Sequence, residues 1–321
     1  MASLTLDRLL GFRNDRASRA AALSFTSNFT LMVLKFAVGI LTGSIAVLSD
    51  AIDSAQDVVA STLAFVSIRL GSQPADAEHP YGHGKAESLA AATQALLIAG
   101  GGTYIVVRAV YRLVEGGGEI NTGPGLIALS VTAVVNVGVA IYVGRASRAT
   151  SSMALKADTR HLWTNVVQAL GVVLALALVA TTGNHIFDPI MALLLAVYLL
   201  WTAAQVFMGA LGEIMDVGLP AREVELIENC LREQRGGVRG YHHLRTRKAG
   251  RQRYVDLHLL VDPQQTVEAA HVLCDQLEDA VCACLPGAVV TIHLEPDDGR
   301  FRGPMHEEHV EMGGGGESNP R

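Results

Sequence analysis

Ser49-Asp50-Ala51-Ile52-Asp53-Ser54-Ala55-Gln56-Asp57 lies inside a run from Ile45 to Leu70 that otherwise reads as a membrane-spanning helix. Each acid at the centre of such a helix costs roughly 2.5–3.5 kcal/mol on insertion scales, so three cost on the order of 8–10 kcal/mol before any partner is found. Asp53 and Asp57 are four residues apart and project from one helix face, with Asp50 one turn earlier on nearly the same face. Carboxylates at this spacing, facing a helical bundle, make a hard oxygen site for a divalent cation or a proton relay. For Asp50 the plainer alternative is a helix cap at the membrane interface.

Working outward, half of the 321 residues are hydrophobic. That share is seldom seen in a soluble protein of this size and points to a multi-span α-helical membrane protein. Six apolar segments are long enough to cross about 30 Å of hydrocarbon. They run roughly Ala20–Gly43, Ile45–Leu70, Ala86–Leu113, Pro124–Val143, Ala157–Thr181 and Ile186–Leu211. Lys35 falls in the first of them, close enough to an end for its ammonium to snorkel toward water. Residues 1–19 form a basic, amphipathic arm with Arg8, Arg13, Arg16 and Arg19. No short apolar stretch with a small-residue cleavage site follows it, so no removable signal peptide is expected.

Basic residues set the orientation. They concentrate in the amino-terminal arm, in the second link (Lys85, after Arg69) and in the fourth (Arg145, Arg148, Lys156, Arg160), while the first and fifth links have none. The positive-inside rule then places both termini in the cytoplasm, with an even number of spans across the cell's inner (plasma) membrane. The net charge of −6 argues against nucleic acid as a partner. Cys230, Cys274, Cys282 and Cys284 fall in the polar last third without a C-x-x-C pair, and read as buried or free thiols in a reducing compartment.

The composition changes after Gly212. Residues 20–212 make the transmembrane domain and 213–296 a small α+β unit: a helix over Arg222–Gln234, strands over Val238–Arg247 and Tyr254–Val261, a helix over Val267–Cys284 and a strand over Ala288–Leu294. Residues 297–321 lack periodicity and are expected to be a disordered tail, in which His306 and His309 could touch a metal loosely.

A second polar constellation matches the first. The fifth apolar segment carries His161-Leu-Trp-Thr-Asn165, again at i and i+4. If segments two and five pack together, Asp53, Asp57, His161 and Asn165 converge into a set of two carboxylates, an imidazole and an amide that cancels a 2+ charge. Mixed nitrogen and oxygen ligation suits Zn²⁺, and also Fe²⁺, Co²⁺, Mn²⁺ or Cd²⁺. In the second link, Asp76-x-x-His79-x-x-x-His83 can close on one metal in a short loop, the alternative being a polar loop with two histidines by chance. In the last third, His242, His258, His271 and His293 lie on or beside three elements, where strand alternation permits them to face one another.

On these residues, on Gln73-Pro-Ala-Asp-Ala-Glu-His-Pro-Tyr-Gly-His-Gly-Lys-Ala-Glu-Ser88, on Ala157-Asp-Thr-Arg-His161 and on His-Leu-Arg-Thr-Arg247, the chain resembles the cation diffusion facilitator family over about residues 10–296. Its likeness is to the bacterial zinc- and iron-efflux type. The resemblance implies six transmembrane helices, a ferredoxin-like cytoplasmic domain, a homodimer, and divalent metal export coupled to inward proton movement. Carried over, the transport site is Asp53, Asp57, His161 and Asn165, with Asn165 where the family usually has Asp. That departure removes a negative charge and a titratable group, and the site could instead recruit water, Thr164 or Asp50. The resemblance also implies a loop metal site at Asp76, His79 and His83, and a charge interlock across the dimer between Lys85 and Asp216. It further implies metal ions between the soluble domains at His242, His258, His271 and His293, with Glu295 in place of the usual Asp; His243 is an extra candidate. Metal is thus substrate and regulatory ligand at once.

An enzymatic reading, a membrane metallohydrolase, would need an activated water and a general base. Neither a H-E-x-x-H helix nor a nucleophile elbow occurs. The remaining alternative is a metal sensor or scaffold of the same family with weak or no transport, which Asn165 makes conceivable.

Overall fold

Six long helices make up the first unit of the chain, which ends at Ile214 in a computed structural model that describes residues 16–42, 45–115, 123–182, 186–233, 238–297, 299 and 310–311. They are α1 (Arg16–Thr42), α2 (Ile45–Gly71), α3 (Lys85–Glu115), α4 (Gly123–Thr150), α5 (Met153–Thr182) and α6 (Phe187–Ile214). Each has 27 to 31 residues. At 1.5 Å per residue that is about 40–46 Å, more than the hydrocarbon core requires. Among the described residues, Arg16–Val38, Lys85–Tyr111, Ser130–Thr150 and Pro189–Ile214 are apolar enough to span by composition alone. The other two helices, α2 and α5, carry Asp57, Arg69, Lys156, Asp158, Arg160 and His161 among their apolar residues.

Packing in this unit relies on small side chains. One core joins α1, α2, α4 and α5 through Ala17, Ala20, Ala21, Ala64, Ile68, Ala140, Val143, Leu155 and Leu162. Alanines let helix backbones approach closely where no hydrophobic effect drives them together. Among the described glycines, Gly171 of α5 leaves the least space: a Cβ there would stand 2.5 Å from Leu195 Cδ1 of α6. Buried polar pins fix the helix ends. The Ser152 hydroxyl accepts from the Leu155 backbone N–H at 3.3 Å, capping α5, and donates to the Glu87 carboxylate of α3. The Ser88 hydroxyl donates to Glu213 Oε2 of α6 at 2.7 Å.

The second unit begins at Met215. Its order is α7 (Ala221–Glu233), β1 (Val238–Ala249), β2 (Gln252–Val261), α8 (Val267–Cys284), β3 (Ala288–Pro296) and β4 (Val310–Glu311). The sheet order is β3-β2-β1-β4, with β1/β2 antiparallel and β2/β3 parallel. This is the expected α+β arrangement of helix, hairpin, helix and strand. The β1–β2 turn needs Gly250, at φ +61°, because an L side chain there would be strained. Val255, Leu257 and Leu259 of β2 and Val290, Ile292 and Leu294 of β3 pack with Ile227, Leu231, Leu273 and Leu277 of the helices. The alternate residues, His258 on β2 and His293 on β3, therefore lie on the opposite face.

Three expectations change. Cys230 and Cys284 form a disulfide joining the ends of α7 and α8, across 54 residues of sequence, so they are not free thiols. Those helices pack side by side, a proximity that local spacing does not encode. Cys274 is buried and Cys282 exposed, both free. Lys35 does not reach for the membrane surface: it is buried and donates to Ser54 Oγ of α2 at 2.8 Å. In the tail expected to be disordered, Val310 and Glu311 pair with Tyr241 and Gly240 of β1. Residues 1–15, and His306 and His309, lie outside the described residues.

Candidate functional site

The transport-site candidates sit on α2 and α5. His161 and Asn165 are four residues apart on α5 and face Asp57 of α2 together. His161 Nε2 lies 2.9 Å from Asp57 Oδ1, and Asn165 Nδ2 donates to that same oxygen at 2.9 Å. The side chains of Asp57 and His161 are mostly buried. His161 Nδ1 is buried with no hydrogen-bond partner among the described residues, which leaves the choice of tautomer to Nε2 and its occupant. Asn28 of α1 supports the cluster by donating to the Asp57 carbonyl oxygen at 3.3 Å. The side chains of Asp50 and Asp53 lie outside the described residues, although both positions are helical in α2. Thr164 donates its hydroxyl to the His161 carbonyl at 2.6 Å, as buried helical threonines do, and so is turned back on its own helix.

This geometry is close to that of a metal site. Two ligands of a tetrahedral Zn²⁺ at about 2.0–2.1 Å stand about 3.3 Å apart. Nε2 and Oδ1 need to separate by only a few tenths of an ångström to admit the ion. Sequence reasoning passed over Asp158, one turn before His161. It is fully buried, with the Ser24 hydroxyl and the Gln94 amide as the polar groups beside its carboxylate. Its signal was the i, i+3 spacing to His161.

In the second link, Asp76, His79 and His83 lie close together. Asp76 Oδ1 accepts from the backbone N–H groups of Glu78 at 3.0 Å and His79 at 2.6 Å. His79 Nδ1 lies 3.3 Å from Oδ1 and His83 Nε2 3.4 Å from Oδ2. The His79 backbone N–H, above all, holds the Asp76 carboxyl below its usual range. The loop thus keeps an ionised oxygen ligand beside two imidazoles, with ligand atoms all within 4.8 Å of one another. The donor set fits a divalent transition metal.

In the second unit, strand register assembles the cluster. His242 pairs with His258, and His258 with His293, so the three stand side by side on adjacent strands. Glu295, two residues after His293, reaches them all: Oε1 lies 2.9 Å from His258 Nδ1 and 3.7 Å from His293 Nε2, and Oε2 lies 3.5 Å from His242 Nε2. A register shift between His242 and Arg245 gives β1 an extra residue, with His243 at φ +52°. That bulge turns His243 to the side of its neighbour, its ring centroid 5.0 Å from that of His242 and 4.8 Å from that of His258. His271 is not brought to this cluster: it is exposed on α8, 4.0 Å from Asp275. Lys85 of the first unit donates to the Ile214 carbonyl oxygen at 3.2 Å, and Asp216 of the second lies 3.4 Å from Arg247 Nη1.

A six-helix bundle with an acid–imidazole–amide cluster between two of its helices, followed by a sheet with a histidine face, is the build of a multi-pass membrane protein equipped to hold cations. The chain belongs to the cation efflux family: residues 21–215 match the cation efflux transmembrane domain and residues 219–297 the cation efflux protein cytoplasmic domain. It is 35% identical over 277 residues to an uncharacterised transporter of Synechocystis sp., covering 86% of this chain and 89% of that one. It is 32% identical over 279 residues to the cation-efflux pump FieF of Klebsiella pneumoniae, covering 87% of this chain and 92% of that one. Among solved structures, the zinc form of a protein described as the putative zinc transporter CzrB matches at 45% identity and a TM-score of 0.26, over 27% of this chain and 99% of that one.

Proposed function

We propose that this chain exports divalent metal cations from the cytoplasm, Zn²⁺ first among them and Fe²⁺, Cd²⁺, Co²⁺ or Mn²⁺ as alternatives, by proton antiport with alternating access. It works as a homodimer in the cell's inner membrane, with both termini cytoplasmic. The observation that carries this is the meeting of His161 Nε2 and Asn165 Nδ2 on one oxygen of Asp57. Metal and proton want the same atoms there. A proton on Nε2 completes the hydrogen bond to Oδ1; a metal replaces that proton and is bound by both atoms, with Asp53 as a further carboxylate. Facing the cytoplasm, the site takes metal. Facing outward, protons at higher activity displace it and travel back. Likeness to a cation-efflux pump over most of both chains supports the direction of transport, and the mixed nitrogen and oxygen donor set suits Zn²⁺.

The histidine face of the second unit acts as a metal-responsive clamp. Metal bridging two such faces draws two copies together and biases the membrane halves toward one conformation. Lys85 and Asp216 form the charge interlock at the membrane surface, and Asp76, His79 and His83 hold a metal in the second link.

One observation favours the sensor or scaffold reading. The Asn165 amide is a donor to Asp57, and this stabilises the metal-free site in a way that a carboxylate at 165 would not. The experiment is metal flux into sealed proteoliposomes under an imposed pH gradient, over a panel of divalent metals, with Asn165→Asp alongside. Gradient-driven flux by the wild type bears out the exporter and names its metal. Flux by the Asp variant alone transfers the weight to the sensor.

A further inference from the structure

Cys230 and Cys284 are joined by a disulfide, and both lie within residues 219–297, which match a cytoplasmic domain. Those two facts pull against each other. Glutathione and thioredoxin-type dithiols keep cytosolic thiols reduced, and the disulfides that do occur there are usually transient and catalytic or redox-sensing. A cysteine pair that meets across 54 residues of sequence in such a compartment is suited to being made and broken.

The surroundings of the two sulfurs are unequal. Cys230, in the last turn of α7, is 7% exposed and shares a core with Ile227, Leu231 and Leu277. Cys284, the last residue of α8, is exposed. An attacking thiolate therefore reaches the bond from the Cys284 side. The two free thiols do not compete for the pairing. Cys274 is buried in the same core, and burial pushes its thiol up, away from the reactive thiolate. Cys282 is exposed, and its Sγ donates instead to the Ala288 carbonyl oxygen at 3.5 Å, at the start of β3.

The bond ties together the two helices that cover Val255, Leu257 and Leu259 of β2. Closing so long a loop restricts the unfolded chain, so the oxidised second unit is the more stable form.

We propose that Cys230 and Cys284 are a reversible thiol–disulfide site, opened by a cytosolic dithiol and closed again by its oxidised form, which ties the stability of the second unit to the dithiol poise of the cell. A thiolate of the dithiol attacks Cys284 Sγ and forms a mixed disulfide, while Cys230 leaves and takes up a proton. The second thiol of the dithiol loses its proton, attacks its partner sulfur in the mixed disulfide and releases Cys284, which is protonated in turn. Two electrons and two protons pass to the protein, and the dithiol becomes a disulfide. The reverse sequence restores the bond. The proposal rests on the cytoplasmic placement of the second unit.

The test starts from the full-length chain in detergent, equilibrated with thioredoxin at stepped ratios of reduced to oxidised form. After denaturation, a heavy maleimide counts free thiols by gel shift. The wild type is expected to pass in one step from its two free cysteines to all four, and to return when the ratio is reversed. Its melting temperature should fall by several degrees with that step. Cys230→Ser and Cys284→Ser should show neither the step nor the redox-dependent melting; Cys282→Ser should keep both. A bond that stays closed in excess reduced thioredoxin overturns the proposal, as do four free thiols at every ratio or a step lost in Cys282→Ser. Placement is read separately in intact cells with a membrane-impermeant maleimide. Labelling of the reduced pair only after permeabilisation supports the cytoplasmic side. Labelling from outside overturns the placement, and the physiological proposal with it, even where the purified chain exchanges.

Discussion

Asp57 is the residue on which the proposed membrane site turns, because both candidate ligands of α5 address it through one oxygen. Asp57→Asn keeps the shape and removes the charge. Its amide can still bond His161, so the bundle is expected to survive with a melting temperature within a few degrees of wild type. Metal flux is expected to fall to the protein-free background; flux within twofold of wild type would remove Asp57 from the site. This much of the site was legible from spacing, since an i, i+4 acid pair on one helix and an i, i+4 His–Asn pair on another are hard to place except against each other. Asn28 was not legible: an asparagine among apolar neighbours carries no periodic signal, and its role appears only when α1 lies on α2. Lys35 was misread for a related reason. Distance from a helix end predicts snorkelling, but which way the side chain turns is decided by the neighbouring helix.

At the scale of elements, Arg253 of β2 clasps Glu223 of α7 with Nε to Oε2 at 2.7 Å and Nη2 to Oε1 at 3.1 Å. The guanidinium holds the Glu223 carboxyl below its usual range. A carboxyl depressed in the folded state contributes stability above its unfolded pKa and loses it as pH falls through the folded value. The second unit is therefore expected to soften below about pH 4.5 and to lose up to about 1 kcal/mol from this solvent-screened pair. Glu223→Gln should lower stability at neutral pH by a similar amount and flatten that part of the acid profile, as followed by chemical denaturation across pH. A Gln variant with the wild-type acid profile would show the pair to be idle. Most elements here could be read in advance, because α8 runs from a Thr266 cap to Pro286 and the strands alternate. The Cys230–Cys284 bond could not, since it depends on two helix ends meeting. Nor could the bulge that turns His243 beside His242, since alternation alone puts neighbours on opposite faces.

For the molecule as a whole, the histidine face should couple metal to assembly. Zn²⁺ at a hundredfold excess over its dissociation constant is expected to stabilise the chelator-treated full-length chain by about 2.7 kcal/mol per site. Dimer formation in detergent, followed by light scattering, should rise with the same midpoint. His258→Ala removes the central imidazole of the row and should abolish most of both effects, while leaving flux through the membrane site measurable. Equal stabilisation of the variant by Zn²⁺ would move the clamp elsewhere, the second-link cluster at Asp76, His79 and His83 being next to test.

Gly171 touches no candidate ligand, yet α5 and α6 meet there with no room for a methyl group. A side chain there must push Leu195 aside, its Cγ as well as both methyl ends, and the packing of α5 against α6 is expected to shift with it. In a library of all single substitutions selected for growth on toxic metal, position 171 should therefore be as bare of survivors as the ligands themselves. An inventory of binding residues drawn from such genetics alone would wrongly include it.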